Sequence, residues 1–449
     1  MTITILHLQL FGKTSAVKMN LDWKKGPGYK EINNIALPPY ELRKLSNGVD
    51  IYTLNQGSQE IIKFDIVFRG GRMLEHKKLV SKFTASLLRE GTPGKNSVEL
   101  ANFFDLYGAA LRVASNLDFV YLSLSCLTKH FETLLPVLAD ILLEPTFDQK
   151  ELDKIKKTTT QKLIQDLSKN DLVSYRVYTE ALFGKDHVYG YNSAPEDISA
   201  IQRADLVQYH KEAFGLSNAF MVLCGNFPDS CFKAVDQYFG TFLTVSPKPI
   251  YQAPEFVHQP DPIMVYTKNE FQASIKIGRR LFNRQDPDYP AFFFLNTLFG
   301  GFFGSRLMSS IREKHGYTYN VFSVYDHLIY DGYFYIGTEV GLEYLDATLK
   351  EIDKQLELIC SKKPKPSEMK MVRNYLIGNF LNLIDGPLNS ASLIKSLVLD
   401  DTLENHFDHF IQKILTVSAQ EVLDCAQKYL QKESFLTTIV TYDQKPIIV

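Results

Sequence analysis

Long apolar runs are absent from this 449-residue chain, and no segment approaches the 18 or so apolar residues that a transmembrane helix requires. The N-terminal segment Ile3–Phe11 is apolar but short, is interrupted by His7 and Gln9, and has no Lys or Arg before it. It is therefore a poor signal peptide, and we interpret it as an extension that precedes a true start near Met19. The sequence predicts no membrane partner.

An excess of charge of either sign is also lacking. The chain has 49 Lys and Arg against 51 Asp and Glu, which gives a formal net charge of −2. Without a basic surplus, nucleic acid is not expected as the main partner. Because 45% of the residues are hydrophobic and 22% are charged, the composition excludes a disordered or fibrous chain.

Cysteine is scarce, odd in number and without C-x-x-C spacing. The five cysteines are Cys126, Cys224, Cys231, Cys360 and Cys425. This pattern is typical of buried free thiols in a reducing compartment, and it does not favour disulfides or a metal site. We therefore expect a cytoplasmic protein.

Proline is concentrated in one stretch, residues 245–262. Its five prolines are Pro247, Pro249, Pro254, Pro260 and Pro262. Because proline fixes φ and removes a backbone donor, this stretch favours an extended linker. We therefore predict an N-terminal domain over residues 1–244, a linker over 245–262 and a C-terminal domain over 263–449.

The two predicted domains have similar patterns in the same order. Each contains an alternating strand followed by a long helix: Phe119–Ser125 then Phe131–Leu143 in the first, and Gly332–Thr338 then Tyr344–Leu358 in the second. Each also ends with a helix that leads into a buried strand, the two strands being Ala219–Gly225 and Phe435–Thr441. Period-2 strands between 3.6-period helices predict a duplicated α+β fold.

A series of short motifs follows the order found in a known family. The segments are Leu45–Asp50, Phe68–Arg72, Leu88–Thr92, Asp186–Gly190, Ala194–Ile198, Leu223–Asn226, Gly300–Leu307 and Ile311–Tyr319. Together they resemble the insulinase/pitrilysin family of zinc peptidases, and in particular its shorter members, such as the mitochondrial processing peptidase. The resemblance implies two homologous α/β-sandwich domains of the LuxS/MPP-like metallohydrolase fold, joined by the Pro-rich linker.

Active members of that family carry H-x-x-E-H on a helix, in which two histidines bind zinc and the glutamate is the general base. The equivalent helix here is Leu79–Arg89, where the first histidine, the glutamate and the second histidine are replaced by Lys82, Ala85 and Ser86. The region of the third ligand, Gln161 and Lys162, has no carboxylate either. The resemblance therefore implies that this chain has no metal or other cofactor of its own.

Two other groups of side chains can be compared with a metal site. Glu75 and His76 resemble the second half of the signature, but Arg72 stands where the first histidine would be. His406 and His409, with Glu404 and Asp408, lie at helical spacing. We expect structural roles for both groups, because neither supplies a complete set of ligands.

The second half contains an arginine and a tyrosine that match a functional pair of the family. Active complexes of the family use an Arg and a Tyr, seven positions apart, to hold the substrate backbone and stabilise the oxyanion. Arg312 and Tyr319 have this spacing, within Ile311–Tyr319. The resemblance assigns them a catalytic role at a zinc site in another subunit. The alternative is a surface ion pair for Arg312 and a packing role for Tyr319.

A glycine-rich turn, Phe299–Gly304, precedes this pair. Gly300, Gly301 and Gly304 allow positive φ and a close approach of the backbone, and the resemblance suggests that they bind substrate. The turn is not a phosphate loop, because no Lys-Ser/Thr follows the glycines.

These features favour a non-catalytic subunit of a heteromeric zinc metallopeptidase. It would enclose extended peptides and supply Arg312 and Tyr319 to a catalytic partner of the same family, and zinc would be bound in that partner. An extended peptide would be held at a sheet edge, for which residues 110–116 are the candidate. Two alternatives stay open: a purely structural or assembly subunit, and an active zinc metalloendopeptidase whose ligands are misaligned here.

Overall fold

The β-strands of the computed structural model form two large sheets, one in each half of the chain, and a two-stranded ribbon. The structure describes residues 26, 32, 35–241, 244–254, 261–269, 271–403 and 406–442. The segment Ile3–Phe11, Met19, Glu404 and residues 255–260 of the predicted linker lie outside this range. The chain divides into two units, Met1–Asn34 and Ile35–Val449, and all the helices and strands given below belong to the second.

The first sheet has six strands in the order β1-β2-β8-β3-β7-β6, and the second has five in the order β11-β12-β10-β13-β9. The strands are β1 (Glu41–Lys44), β2 (Asp50–Asn55), β3 (Ile61–Arg69), β4 (Gly91–Thr92) and β5 (Lys95–Asn96), which form the ribbon, then β6 (Ala110–Ser115), β7 (Phe119–Leu127), β8 (Ala219–Gly225), β9 (Ile263–Thr267), β10 (Gln272–Leu281), β11 (Val321–His327), β12 (Gly332–Gly341) and β13 (Leu436–Tyr442).

Helices surround both sheets. They are α1 (Val80–Leu87), α2 (Ser97–Leu106), α3 (Phe131–Leu143), α4 (Gln149–Asp166), α5 (Asn170–Phe183), α6 (Pro195–Ala200), α7 (Arg203–Ala213), α8 (Asp229–Phe239), α9 (Tyr289–Asn296), α10 (Leu345–Ser361), α11 (Pro366–Leu383), α12 (Gly386–Leu399), α13 (His406–Thr416) and α14 (Ala419–Tyr429). Thr297–Gly301 and Met308–Lys314 are π-helical turns. Within the described residues, no helix is both long and apolar enough to cross a membrane.

The two sheets have the same topology, which confirms the duplicated α+β fold. Strands β6, β7, β3, β8 and β2 correspond in order to β11, β12, β10, β13 and β9. In both sheets the first three pairings are antiparallel and the last is parallel. Strand β1 has no equivalent in the described part of the second sheet.

The halves exchange one helix in each direction. Helix α5 belongs to the first half by sequence but packs against β10 and β13, with Tyr178 and Leu182 buried beside Leu436. Helix α12 belongs to the second half but covers β8, where Ile394 packs against Val222. Both sheets are therefore covered on one face by a helix from the other half.

An ion pair with at least one buried side chain holds each exchanged helix on a central strand. Lys395 on α12 donates to Asp65 on β3 at 2.8 Å, and Ser123 donates to the other carboxylate oxygen of Asp65 at 2.5 Å. On the other sheet, Lys276 of β10 is 1% exposed and donates to Asp171 of α5. Since charged side chains are rarely buried without a partner, these pairs specify where the helices dock.

Residues 245–254 are the first described part of the predicted linker. They have no regular secondary structure but are held to the rest of the unit. Ser246 accepts a hydrogen bond from the Gly215 amide at 2.7 Å. Pro254 accepts one from Arg280 at 3.0 Å. The domain boundaries at 244/245 and 262/263 stay predictions. Helices α5 and α12 each pack on the sheet that lies on the other side of these boundaries in the chain.

Candidate functional site

Helix α1 carries Lys82, Ala85 and Ser86, the three residues that the resemblance places in the zinc motif. It follows β3 and a tight turn. In this turn Gly71 has φ +45° and packs against the β6–β7 hairpin. A Cβ at Gly71 would lie 2.5 Å from the Leu117 carbonyl oxygen and 2.6 Å from that of Asn116, so only glycine fits. This close approach fixes the start of α1 against the hairpin.

The three residues at the positions of the zinc motif do not fit a metal ion. Lys82 reaches solvent, Ala85 is 1% exposed and has no donor atom, and the Ser86 hydroxyl donates to the Lys82 carbonyl at 2.9 Å. Zinc requires neutral imidazole, thiolate or carboxylate ligands, whereas an ammonium group repels the cation. No group of three His, Cys, Asp or Glu side chains suited to a metal occurs anywhere in the part of the chain that the structure describes.

Positive charge accumulates at the same place. Partial desolvation lowers the pKa of the Lys82 ammonium, although the side chain reaches solvent, and the nearby Lys162 and Arg72 act in the same direction. Lys162 belongs to the region in which the resemblance places the third, acidic ligand. The two positions that should attract a metal ion therefore repel it.

Glu75 and His76 have structural partners. The Glu75 carboxylate accepts hydrogen bonds from the Ser81 amide at 3.0 Å and from the Tyr191 hydroxyl at 2.6 Å. Burial raises the pKa of the Glu75 carboxyl, and these hydrogen bonds oppose the increase. His76 lies 4.0 Å from Asp205. Glu75 therefore connects the start of α1 to Tyr191.

The structure brings Arg312 and Tyr319 together. The Arg312 guanidinium lies 4.4 Å from the centre of the Tyr319 ring and 5.0 Å from that of Phe303. Tyr319 is 83% exposed and Phe303 is 57% exposed. No described residue accepts a hydrogen bond from the Arg312 side chain, so its N–H donors remain available to a ligand. Their catalytic role stays a prediction.

The turn that bears Arg312 is fastened to helix α10. Ser310 donates to Glu351 at 2.5 Å, and Gln355 donates to the same carboxylate at 2.9 Å. Burial opposes ionisation of Glu351, but the hydrogen bonds from Ser310, Gln355 and Lys354 lower its pKa to about 2. Glu351 is thus an ionised acceptor on α10 that holds the π-helical turn through Ser310.

Stacked rings support the loop between Arg312 and Tyr319. His315 stacks on Tyr317 with ring centres 5.0 Å apart, and Tyr317 stacks on Tyr344 at 5.3 Å. Thr318 donates to the Glu339 carbonyl at 2.5 Å. These contacts hold the chain beside Tyr319, which lies two residues before β11 and has an exposed ring.

The three glycines of the preceding turn differ from one another. None of them has positive φ. Gly300 is buried, and a Cβ there would lie 2.4 Å from the Ser323 amide nitrogen, so its role is close packing on β11. Gly301 and Gly304 are at least partly exposed. Substrate binding by this turn stays a prediction, and only these two glycines could touch a ligand.

Strand β6 is an open edge. Among the described strands it pairs only with β7. Asn116 donates to Phe119 at 2.8 Å, so the alternation of an antiparallel ladder directs the backbone groups of Leu111, Val113 and Ser115 away from β7. These groups make no backbone hydrogen bond to any other described residue. An edge of this kind can accept an added strand.

Sequence reasoning did not identify Phe303, Glu351 or the pocket beside α1. Phe303 is part of the aromatic glycine-rich turn, which was a weak signal for its contact with Arg312. Glu351 has no local signal, because its partner Ser310 is 41 positions away.

The fold and the altered motif define a peptidase-like chain with two homologous halves. A family model of insulinase (peptidase family M16) matches residues 51–189, and one of the peptidase M16 inactive domain matches residues 200–376. Together they match well over half of the chain. The chain therefore belongs to the insulinase family, peptidase family M16.

Relatives with this organisation occur in bacteria. The chain is 22% identical over 397 residues to an "uncharacterized zinc protease YmxG" of Bacillus subtilis, covering 88% of this chain and 96% of that one. It is 23% identical over 413 residues to a "non-peptidase homolog YmxG" of Helicobacter pylori, covering 85% and 89%. The crystal structure of a "peptidase M16 inactive domain" from Pseudomonas fluorescens superposes with a TM-score of 0.80 at 20% identity, covering 91% of this chain and all of that one.

Proposed function

We propose that this M16-family homologue is the non-catalytic subunit of a heteromeric zinc metallopeptidase. It would form a closed chamber with a second chain of the same family that bears an intact H-x-x-E-H. In that chamber it would enclose and orient extended peptides. The partner would bind zinc and perform the hydrolysis.

The observation that supports this proposal most directly is the state of Arg312. Its guanidinium lies close to two exposed aromatic rings, those of Phe303 and Tyr319, and has no hydrogen-bond acceptor among the described residues. An arginine that only formed a surface ion pair would have a carboxylate within 4 Å, and none is found there among those residues. A guanidinium fork held in this way can bind a peptide carbonyl, and the Tyr319 hydroxyl can donate to oxygen as negative charge develops.

The altered zinc motif supports the assignment of hydrolysis to another chain. Lys82 repels a divalent cation, and Ala85 has no carboxylate to act as a general base. The open edge of β6 supports peptide binding, since an extended segment can pair with the backbone of Leu111 and Val113. The name of the Helicobacter pylori relative, a non-peptidase homologue, is consistent with this division of labour.

The test is a mixing experiment with a purified zinc-bearing M16 chain from the same organism and a quenched fluorescent peptide. We expect the mixture to cleave faster than the partner alone. Arg312→Ala and Tyr319→Phe should each lower this stimulated rate by about 10- to 100-fold, because each removes a donor to the developing oxyanion. Lys350→Ala and Tyr266→Phe, two exposed residues of the second half, are the matched controls and should have no effect.

Three outcomes separate the alternatives. If the chain binds the partner but both variants stimulate as the natural chain does, it is a structural subunit. If the chain alone contains about one equivalent of zinc by elemental analysis, and a chelator abolishes cleavage by it alone, it is an active metallopeptidase. If neither binding nor stimulation occurs with any such partner, the proposal is wrong.

A further inference from the structure

A pocket of about 460 Å³ opens beside the start of α1. Its walls come from α1, from the β6–β7 hairpin and from the end of β11 in the second half. The residues that line it include Arg72, Glu75, Ser81, Lys82, Ser115 and Tyr191. Lys82, one of the three residues that the resemblance places in the zinc motif, therefore lines a cavity.

The cations of this pocket have unused donors. The Lys82 ammonium makes no hydrogen bond or ion pair with any residue that the structure describes. Arg72 lies over the Tyr191 ring at 4.1 Å and uses only Nη1, which donates to the carbonyls of Val188 and Tyr191 at 3.3 Å each. Its Nε and Nη2 have no acceptor among the same residues. A ligand in the pocket would meet both groups.

The carboxylates nearby already have hydrogen-bond donors of their own. Glu75 accepts from Ser81 and Tyr191. Asp118 accepts from the Tyr189 hydroxyl and from the Ile329 amide. Burial raises the pKa of both carboxyls, and neither of them makes a hydrogen bond or ion pair with Lys82. The donors of Lys82 and the unused donors of Arg72 are therefore open to an anion that enters the pocket.

The open edge of β6 ends at this pocket. Ser115 is its last residue and lines the pocket, and its hydroxyl donates to Ser81 at 3.0 Å. A peptide paired with the backbone of Leu111 and Val113 would therefore reach the cavity after two or three residues. A negatively charged group on that peptide would then approach Lys82 and Arg72.

We propose that this pocket binds a carboxylate of the extended peptide through Lys82 and Arg72. The inference rests on the proposed peptide-binding function and specifies the ligand: the carboxylate belongs either to the C-terminus or to an Asp or Glu side chain. Charge-assisted hydrogen bonds from an ammonium and a guanidinium group stabilise a carboxylate more than a neutral amide. Lys82, which stands in place of a zinc ligand, would thus bind a carboxylate instead.

The test measures binding to the purified chain alone, by fluorescence anisotropy at low salt. Three N-terminally labelled decapeptides of otherwise neutral sequence are compared: one with a free C-terminus, one amidated, and one amidated with a single internal Glu. We expect at least one carboxylate-bearing peptide to bind about tenfold more tightly than the neutral amidated peptide. The peptide that does so identifies the source of the carboxylate.

Variants assign the effect to the pocket. Lys82→Gln should abolish the tenfold preference, Lys82→Arg should retain it, and Lys350→Gln, an exposed control with the same change in charge, should leave it intact. Equal binding of all three peptides, or an unchanged preference in Lys82→Gln, would overturn the inference. The mixing experiment with the partner is a separate readout, so stimulation that persists without any carboxylate preference would refute this inference alone.

Discussion

Lys395 on α12 donates a hydrogen bond of 2.8 Å to Asp65 on β3, although the two residues are 330 positions apart in the chain. The Asp65 side chain is 2% exposed and that of Lys395 is 16% exposed. Lys63 lies 3.5 Å from the same oxygen. This buried cluster joins the two halves, so its loss should affect the stability of the whole molecule.

Lys395→Ala should lower the free energy of unfolding by about 2–4 kcal/mol, because it leaves the buried Asp65 carboxylate with the Ser123 hydroxyl and, as its one cation, the more distant Lys63. Urea denaturation would measure this. Lys432→Ala, which breaks the exposed pair with Asp353, is the control and should cost less than about 1 kcal/mol. Adding Asp65→Asn to Lys395→Ala should recover part of the loss. An equal effect of the two lysine variants would contradict this expectation.

Two glycines should respond oppositely to replacement by alanine. Gly71→Ala places a Cβ against the carbonyls of Leu117 and Asn116 and should destabilise the fold by about 2–4 kcal/mol. Gly378 lies inside α11, where an added Cβ would have no neighbour within 4 Å, so Gly378→Ala should stabilise by about 0.5–1 kcal/mol. Thermal unfolding of both variants would test this, and a neutral Gly71→Ala would show that the hairpin can shift.

The stability contributed by Glu351 should depend on pH. Its pKa is about 2 in the folded chain against a usual 4.5, so its contribution is complete above about pH 4.5 and is lost as the pH falls towards 2. Glu351→Gln should therefore be less stable than the natural chain at pH 6, and the difference should shrink below pH 4.5. Urea unfolding at several pH values would measure it. Glu357→Gln, at an exposed position of the same helix, should show no such trend.

The cysteines should react slowly in the folded chain. Burial raises the pKa of the Cys126 and Cys224 thiols to about 12 and that of Cys231 and Cys360 to about 11, and it raises the pKa of Cys425 as well. Because the thiolate is the nucleophile, a thiol reagent at pH 8 should modify few of them. Cys360, the one that is only partly buried, should react first, and all five should react in urea. Rapid reaction of all five without denaturant would refute this.

Phe303 should matter for activity but not for stability. Phe303→Ala removes one of the two rings beside Arg312, yet this side chain is 57% exposed, so the free energy of unfolding should change by less than about 0.5 kcal/mol. In the mixture with the partner, the stimulated rate should fall because the guanidinium is held less firmly. Phe271→Ala, at a more exposed aromatic position, is the control. Equal stimulated rates for both variants would show that Phe303 does not contribute to the site.

Much of the local structure could be predicted from periodicity. The predicted helix Phe131–Leu143 is α3 with the same bounds, and the strand Ala219–Gly225 is β8. Burial of the cysteines was predicted correctly for four of the five. These segments have patterns that depend only on their own residues, so the surrounding fold does not alter them.

The exchange of α5 and α12 could not be predicted in the same way. An amphipathic pattern indicates that one face of a helix is covered, but it does not identify the covering surface. The candidate site likewise has one part that local sequence predicts and one part that it does not. The proximity of Arg312 and Tyr319 follows from a short loop, whereas the pocket beside Lys82 also needs His327 and Leu328 from the other half.

The crossed helices also constrain how the molecule can move and be divided. A fragment that ended within residues 245–262 would lose the cover of β8, and the remaining piece would lose the cover of β13, so both would expose apolar surface and aggregate. Because α5 and α12 each pack on the sheet of the other half, we expect the two sheets to move together as a rigid body. If the chain is the proposed non-catalytic subunit, a peptide would then enter between it and the partner chain, and the rate of peptide exchange would depend on how fast those two chains separate.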